Sequence, residues 1–122
     1  MTLTHRALAD GRWHTLPLVE QLGHVGSEVS RASRWQSRNP DLARGALHRA
    51  LELLDLTLAD PRLRGSPARL REVARAREVV VDFFAGSNVY HSTSSSIQKY
   101  FDAYAMAARR AVGRSDSPPQ DA

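Results

Sequence analysis

Residues 69–84 read RLREVARAREVVVDFF, four arginines and three acids leading into an apolar run. At about 100° per residue, Leu70, Val73, Val80, Val81 and Phe84 gather on one broad face centred near 70° from Arg69, the pattern of an amphipathic helix rather than a strand. Arg71, Arg75, Glu78 and Asp82 fall on the opposite side at spacings of three and four. They are expected to pair with one another as a solvated face. Arg77 differs, because at about 80° it falls inside the apolar face. An arginine cannot shed its charge, so an inward Arg77 needs a carboxylate.

Turn signals bracket this helix. Upstream, DPRLRGSP (60–67) carries Pro61, Gly65 and Pro67, and Ser66 is a suitable cap for a helix from Pro67 to about Ala85. Downstream, GSNVYHSTSSS (86–96) reads as a loop, with Ser94 expected to cap a helix through Val112 that turns Ile97, Phe101, Tyr104 and Ala108 inward. Toward the N-terminus, Asn39 with Pro40 starts a leucine-rich helix to about Ala59, whose main stripe is Leu47, Leu51, Leu54 and Leu58. Before it, a helix from Leu16 to Gln36 aligns Leu18, Leu22, Val25, Val29 and Ala32, and its Gly23 and Gly26 permit a close neighbour. Residues 1–15 are expected to be an N-terminal arm and 113–122 a disordered tail. The four helices of 16–112 with short connections predict an all-α fold, an antiparallel up-down-up-down four-helix bundle.

Composition agrees with one domain: 122 residues, 42% hydrophobic and 25% charged, give a core without room for a second. The absence of cysteine excludes disulfides and thiolate metal sites. No apolar run approaches the roughly 18 residues of a membrane span. MTLTHRALADGRWH at the start lacks the apolar region of a signal peptide, so a cytoplasmic protein is expected.

Two carboxylates are candidates for Arg77. Glu28 flanks the first helix's stripe beside Gln21 and Trp35, and Asp55 flanks the leucines of the second. The expected buried ion pair is Arg77 with Glu28, with Asp55 as the second choice. Neither metal nor cofactor is expected. The run ELLD supplies Glu52 and Asp55 without the histidine of a di-metal bundle, and His48 falls on the polar side. The serines 92–96 near Tyr90 and His91 read as turn and cap residues.

The net charge is +4, carried by arginines with a single lysine, Lys99. Arginine presents a planar donor fork suited to phosphate or carboxylate. In an antiparallel bundle one end would collect Arg6, Arg12, Arg62, Arg64, Arg69, Arg71, Arg109, Arg110 and Arg114, offset in part by Asp10, Glu20, Asp60 and Glu72. Such an end attracts nucleic-acid backbones without reading sequence. Met106 beside Ala103 on the outer face of the last helix suggests a contact between subunits.

Three resemblances bear on these residues. RGALHRALELL and the helix order resemble the HEPN ribonucleases, a likeness that implies nuclease activity. That family's motif, an arginine and a histidine with four to six residues between them, has no counterpart here, since only three residues separate Arg44 from His48. In size, helix count and basicity the chain resembles the accessory variability determinant of diversity-generating retroelements. That likeness implies a noncatalytic, ring-forming partner of a reverse transcriptase. LVEQLGHVGSEVSRA, RALELLDLTLADPR and YFDAYAMAARR are similar to a group of small bacterial helical proteins, which brings a fold but no activity. The expected function is therefore a noncatalytic, homo-oligomeric accessory protein that binds nucleic acid or a nucleic-acid enzyme. The competing expectation is a HEPN-like or magnesium-dependent nucleotide hydrolase using Glu28, Glu52, Asp55 and Arg77.

Overall fold

A computed structural model describes residues 11–116 as four α-helices and two short 3-10 helices, with no strand among the described residues. The helices are α1 (Leu18–Trp35), α2 (Pro40–Leu58), α3 (Pro67–Ala85) and α4 (Ser94–Asp116), and the 3-10 helices are Trp13–Thr15 and Pro61–Gly65. No helix among the described residues is long and apolar enough to cross a membrane. Residues 1–10 and 117–122, with the expected contributions of Arg6 and Asp10, lie outside the described residues, as do the side chains of Ala108 and Arg114. α4 runs four residues past its expected end at Val112.

The helix starts follow from capping chemistry. Asn39 Oδ1 accepts from the Leu42 N–H at 3.3 Å, with Pro40 at the first helical position. Ser66 occupies the expected cap position of α3, but its side chain makes no capping hydrogen bond. At α4 the cap is Thr93 rather than Ser94. Thr93 Oγ1 accepts from the Ser96 N–H and Ser96 Oγ accepts from the Thr93 N–H, both at 2.9 Å, a reciprocal box closed by serine in place of glutamate.

α1 is the central helix, packing most extensively against α2 and α4. Its expected stripe is the core: Leu22, Val25, Val29 and Ala32 are buried. α2 departs from expectation. Ala43, Ala46, Ala50, Leu53, Leu54 and Thr57 are buried, whereas Leu47, Leu51 and Leu58 only flank the core. The alanines lie on the side that meets α1, where small side chains let two backbones approach, and the larger leucines fill the flanks.

The N-terminal arm is also corrected at its inner end. Trp13 is only 2% exposed, and its indole Nε1 donates to the Thr57 hydroxyl at 2.9 Å. Its neighbour His14 reaches the Leu56 carbonyl with Nε2 at 2.7 Å. Residues 11–15 thus belong to the bundle, because an aromatic body with its one donor satisfied gains more from burial than from solvent.

The α1–α4 contact depends on a missing side chain. A Cβ on Gly26 would stand 2.6 Å from Phe101 Cβ, inside contact distance, whereas one on Gly23 would meet Ala105 Cα at an ordinary 3.4 Å. Gly26→Ala should therefore lower stability by about 1–2 kcal/mol, overpacking outweighing its better helix propensity. Gly23→Ala should be neutral or stabilising by up to about 1 kcal/mol. Denaturant unfolding of the two variants checks the opposite signs.

Candidate functional site

The expected basic end is built around a buried carboxylate. Asp60 is 2% exposed and caps the Pro61–Gly65 turn, accepting the Arg62 N–H on Oδ1 at 2.9 Å. The Arg62 guanidinium closes on the same carboxylate, Nε to Oδ1 at 3.0 Å and Nη2 to Oδ2 at 2.5 Å. Gln21 Nε2 adds 3.0 Å to Oδ2, while Arg62 Nη2 also donates to the Leu16 carbonyl at 2.5 Å. These bonds, the Arg62 side chain first, hold the Asp60 carboxyl well below the usual carboxylate range against the opposing effect of burial. Arg62, expected among the binding cations, is committed to holding the fold; its partner carboxylate raises its own proton affinity in turn.

The remaining expected cations have a different environment. Arg64, Arg69 and Arg71 around the start of α3, and Arg109 and Arg110 on α4, are exposed. None of the five forms an ion pair among the described residues. Arg69 lines a hollow of about 290 Å3 with Leu18, Asp60, Arg62, Leu63 and Ser66. Glu72, the nearest acid in sequence, is engaged by tyrosines: Tyr100 Oη donates to Glu72 Oε1 at 3.5 Å and Tyr104 Oη donates to the same oxygen. Burial first, then the Glu72 charge, pushes the Tyr100 phenol up to about 12, with Arg69 pulling the other way.

The first-choice pair, Arg77 with Glu28, does not form; Arg77 takes the second choice, Asp55, and Glu28 takes other arginines. Arg77 joins Asp55, Nε to Oδ1 at 2.7 Å and Nη2 to Oδ2 at 3.3 Å, and the side chains are 36% and 58% exposed. The bond is a surface one. On a wheel of about 100° per residue, the observed buried face of α3 (Val73, Ala76, Val80) centres roughly 65° from Arg77, so the arginine lies at its edge. Glu28 is the carboxylate that is buried, 9% exposed at its side chain, and it takes Arg31 Nη1 and Arg49 Nε, each at 2.5 Å. Sequence reasoning missed both arginines. Arg31 was signalled by its i,i+3 spacing from Glu28, while Arg49 had no signal before α1 and α2 were brought together.

The outer face of α3 is also not self-paired. The loop after α3 folds back over it, and Asp82 accepts the Val89 and Tyr90 N–H groups at 2.8 and 3.0 Å. Glu78 accepts the Tyr90 hydroxyl at 3.0 Å, holding that phenol above its usual range, and Arg75 stacks over the ring at 5.4 Å. Loop N–H groups need acceptors, and these acids supply them. Asn88 and His91 adopt positive φ of 57° and 53° within the loop. Asn88 Oδ1 accepts the Ser92 N–H at 2.8 Å.

Glu52 is exposed, and among the described residues no three histidine or acidic side chains converge to hold a metal ion. Comparison with protein-family models, curated proteins and solved structures finds no match, so the functional reading rests on this geometry.

Two measurements follow from the pairs. The Asp60 carboxyl titrates below its unfolded value near 3.9, so its contribution is complete above about pH 4 and is lost as acid protonates it. Asp60→Asn should cost about 2 kcal/mol at pH 7 and flatten the fall in stability between about pH 4 and pH 2, read by denaturant unfolding across that range. In double-mutant cycles, Glu28→Gln and Arg49→Met should couple by roughly 0.5–3 kcal/mol. Glu28→Gln and Arg77→Met should add within about 0.5 kcal/mol, since they share no partner.

Proposed function

We propose that the protein is a noncatalytic, cytoplasmic bundle module that binds the phosphate backbone of nucleic acid through one arginine-rich end, as accessory to a nucleic-acid enzyme such as a reverse transcriptase. The observation that carries the reading is the division of its arginines. Arg31, Arg44, Arg49, Arg62 and Arg77 are neutralised by carboxylates. Arg64, Arg69, Arg71, Arg109 and Arg110 are exposed and carry no ion pair among the described residues, a larger group than Arg34 and Arg38, which share that state near the end of α1. Unpaired guanidinium forks are suited to phosphate oxygens, and their fields reinforce one another where they gather.

That they gather depends on an up-down-up-down helix order, which the contacts support. Gly23 lies against Ala105 and Gly26 against Phe101, so α1 and α4 advance in opposite senses. Tyr104 meets Glu72 while Ile97 shares a groove with Val80, an opposite sense again for α3 and α4. On that register Arg69 stands about one turn, and Arg109 and Arg110 about one and a half turns, beyond the Glu72–Tyr104 contact toward the same end. Met106, 47% exposed on α4, is the proposed contact between copies in a homo-oligomer, as the resemblance to the retroelement accessory protein implies.

The test is a titration of labelled RNA and DNA at 50 and 200 mM salt, with and without magnesium. Five phosphate contacts on a single strand predict a log–log salt slope of about −3 to −4, a loss of roughly 100-fold over that range. Arg64→Gln with Arg71→Gln should reduce the slope by about 1 to 2 while leaving the unfolding midpoint near that of the parent. Intact nucleic acid recovered from every reaction is the expected result. Binding that ignores salt, or no binding at all, would overturn this reading, and magnesium-dependent turnover would replace it with the hydrolase.

A further inference from the structure

Between α1 and α4 an open groove of about 390 Å3 faces solvent. On the α1 side Gly23, Gly26, Ser27, Ser30, Arg31 and Arg34 follow one another at spacings of three and one, a single continuous stripe of a helix. At 1.5 Å per residue the stripe is about 16 Å long. We propose that this groove holds a stretch of single-stranded nucleic-acid backbone and extends the binding track of the arginine-rich end along the length of the bundle. The inference rests on the phosphate-binding reading above, and specifies the site and the strand form it takes.

Three features of the groove point to a phosphodiester chain. The first is continuity: Arg109, one of the exposed cations of the basic end, also lines the groove, one turn beyond the Ala105 that faces Gly23. The second is charge. Arg109 stands toward one end and Arg34 toward the other, with Arg31 beside Arg34 already paired to Glu28, against a single lining acid. That acid, Asp102, is already engaged by Gln98 Nε2 at 2.9 Å. Arg31 keeps 56% of its side chain exposed although its Nη1 meets Glu28. At a stacked spacing of about 3.4 Å per nucleotide, 16 Å corresponds to about five nucleotides between the flanking cations.

The third feature is the lining between those cations. Ser30 and Ser27, the latter's hydroxyl otherwise donating to the Gly23 carbonyl at 3.4 Å, offer hydroxyls that bond sugar and phosphate oxygens without regard to base. The only aromatic residue in the lining, Phe101, is 1% exposed, so the groove has no platform on which a base could stack. One groove with one row of donors fits one strand, and nothing in it distinguishes one base from another.

The experiment is fluorescence anisotropy of the full chain with labelled oligo-dT and oligo-dA of 4 to 20 nucleotides at 50 and 200 mM salt. Ser27→Glu with Arg34→Glu reverses the groove charge at two exposed positions. It should weaken the 20-mer complex by about tenfold and lower the salt slope by about 1, with oligo-dT and oligo-dA affected alike. The milder Arg34→Gln should fall between this variant and the parent, and circular dichroism should find helix content unchanged in both. Parental affinity in both groove variants, with weakening in Arg64→Gln/Arg71→Gln, would overturn the groove and leave the basic end standing. No binding by the parent at either salt would overturn both. Parental affinity together with a changed mass in solution would assign the groove to contact between copies and overturn the proposal.

Discussion

Asp60 is a carboxylate removed from water, and the bundle is arranged to keep it charged. Its oxygens receive the backbone and guanidinium of Arg62 and the amide of Gln21, and those partners reach the Leu16 and Trp13 carbonyls in turn. One buried charge thus ties the N-terminal turn, the start of α1, the end of α2 and the 3-10 connection to α3. Removing the Arg62 guanidinium would leave an uncompensated buried ion, which is why the knot depends on that pair. Gln21 carries a cost within it, since its Oε1 is buried without a hydrogen-bond partner among the described residues.

The same economy divides the arginines by what faces them. Where a carboxylate is buried, as at Asp60 and Glu28, arginines are drawn in and their charge serves the fold. Acids nearer the surface divide in turn: Asp41 and Asp55 pair with Arg44 and Arg77, whereas on α3 other donors take the acids, Tyr100 and Tyr104 holding Glu72 and loop N–H groups holding Asp82. The cations near them stay available. Basicity at the α3 start and on α4 is therefore a consequence of hydrogen bonding elsewhere, and cannot be counted from arginines and acids alone.

Much of the fold was legible because helix periodicity and caps are local. Asn39–Pro40, the breaks at 60–67 and the α1 stripe are each decided within a few residues, and the structure follows them. What was not legible depends on neighbours. The wheel of α3 contains Arg77, but the direction of burial is set by which of Val73, Ala76, Val80, Val81 and Phe84 meets another helix, and a rotation of roughly 55° moved Arg77 from core to edge. On α2 the leucines drew attention by size, yet the tight contact with α1 selected the alanines. Trp13 had no periodic partner in DGRWHTLP, and its burial is fixed by Thr57, forty-four residues away. At the proposed site, exposure of Arg64, Arg69 and Arg71 followed from sequence, whereas the commitment of Arg62 required the geometry of the Asp60 turn.

Small residues on α1 link packing to the outer surface. Gly26 is buried against Phe101 because no side chain stands between the two helices. The close approach that follows leaves a shallow groove rather than a filled seam on the outside. Its walls are then whatever occupies the positions beside the glycines, and those positions hold Ser27, Ser30, Arg31 and Arg34 on one side and Gln98, Asp102 and Arg109 on the other. A larger residue at 26 would separate the helices and disperse these donors. A constraint of the core thereby determines the shape of a polar surface some distance from the hydrophobic contacts that enforce it.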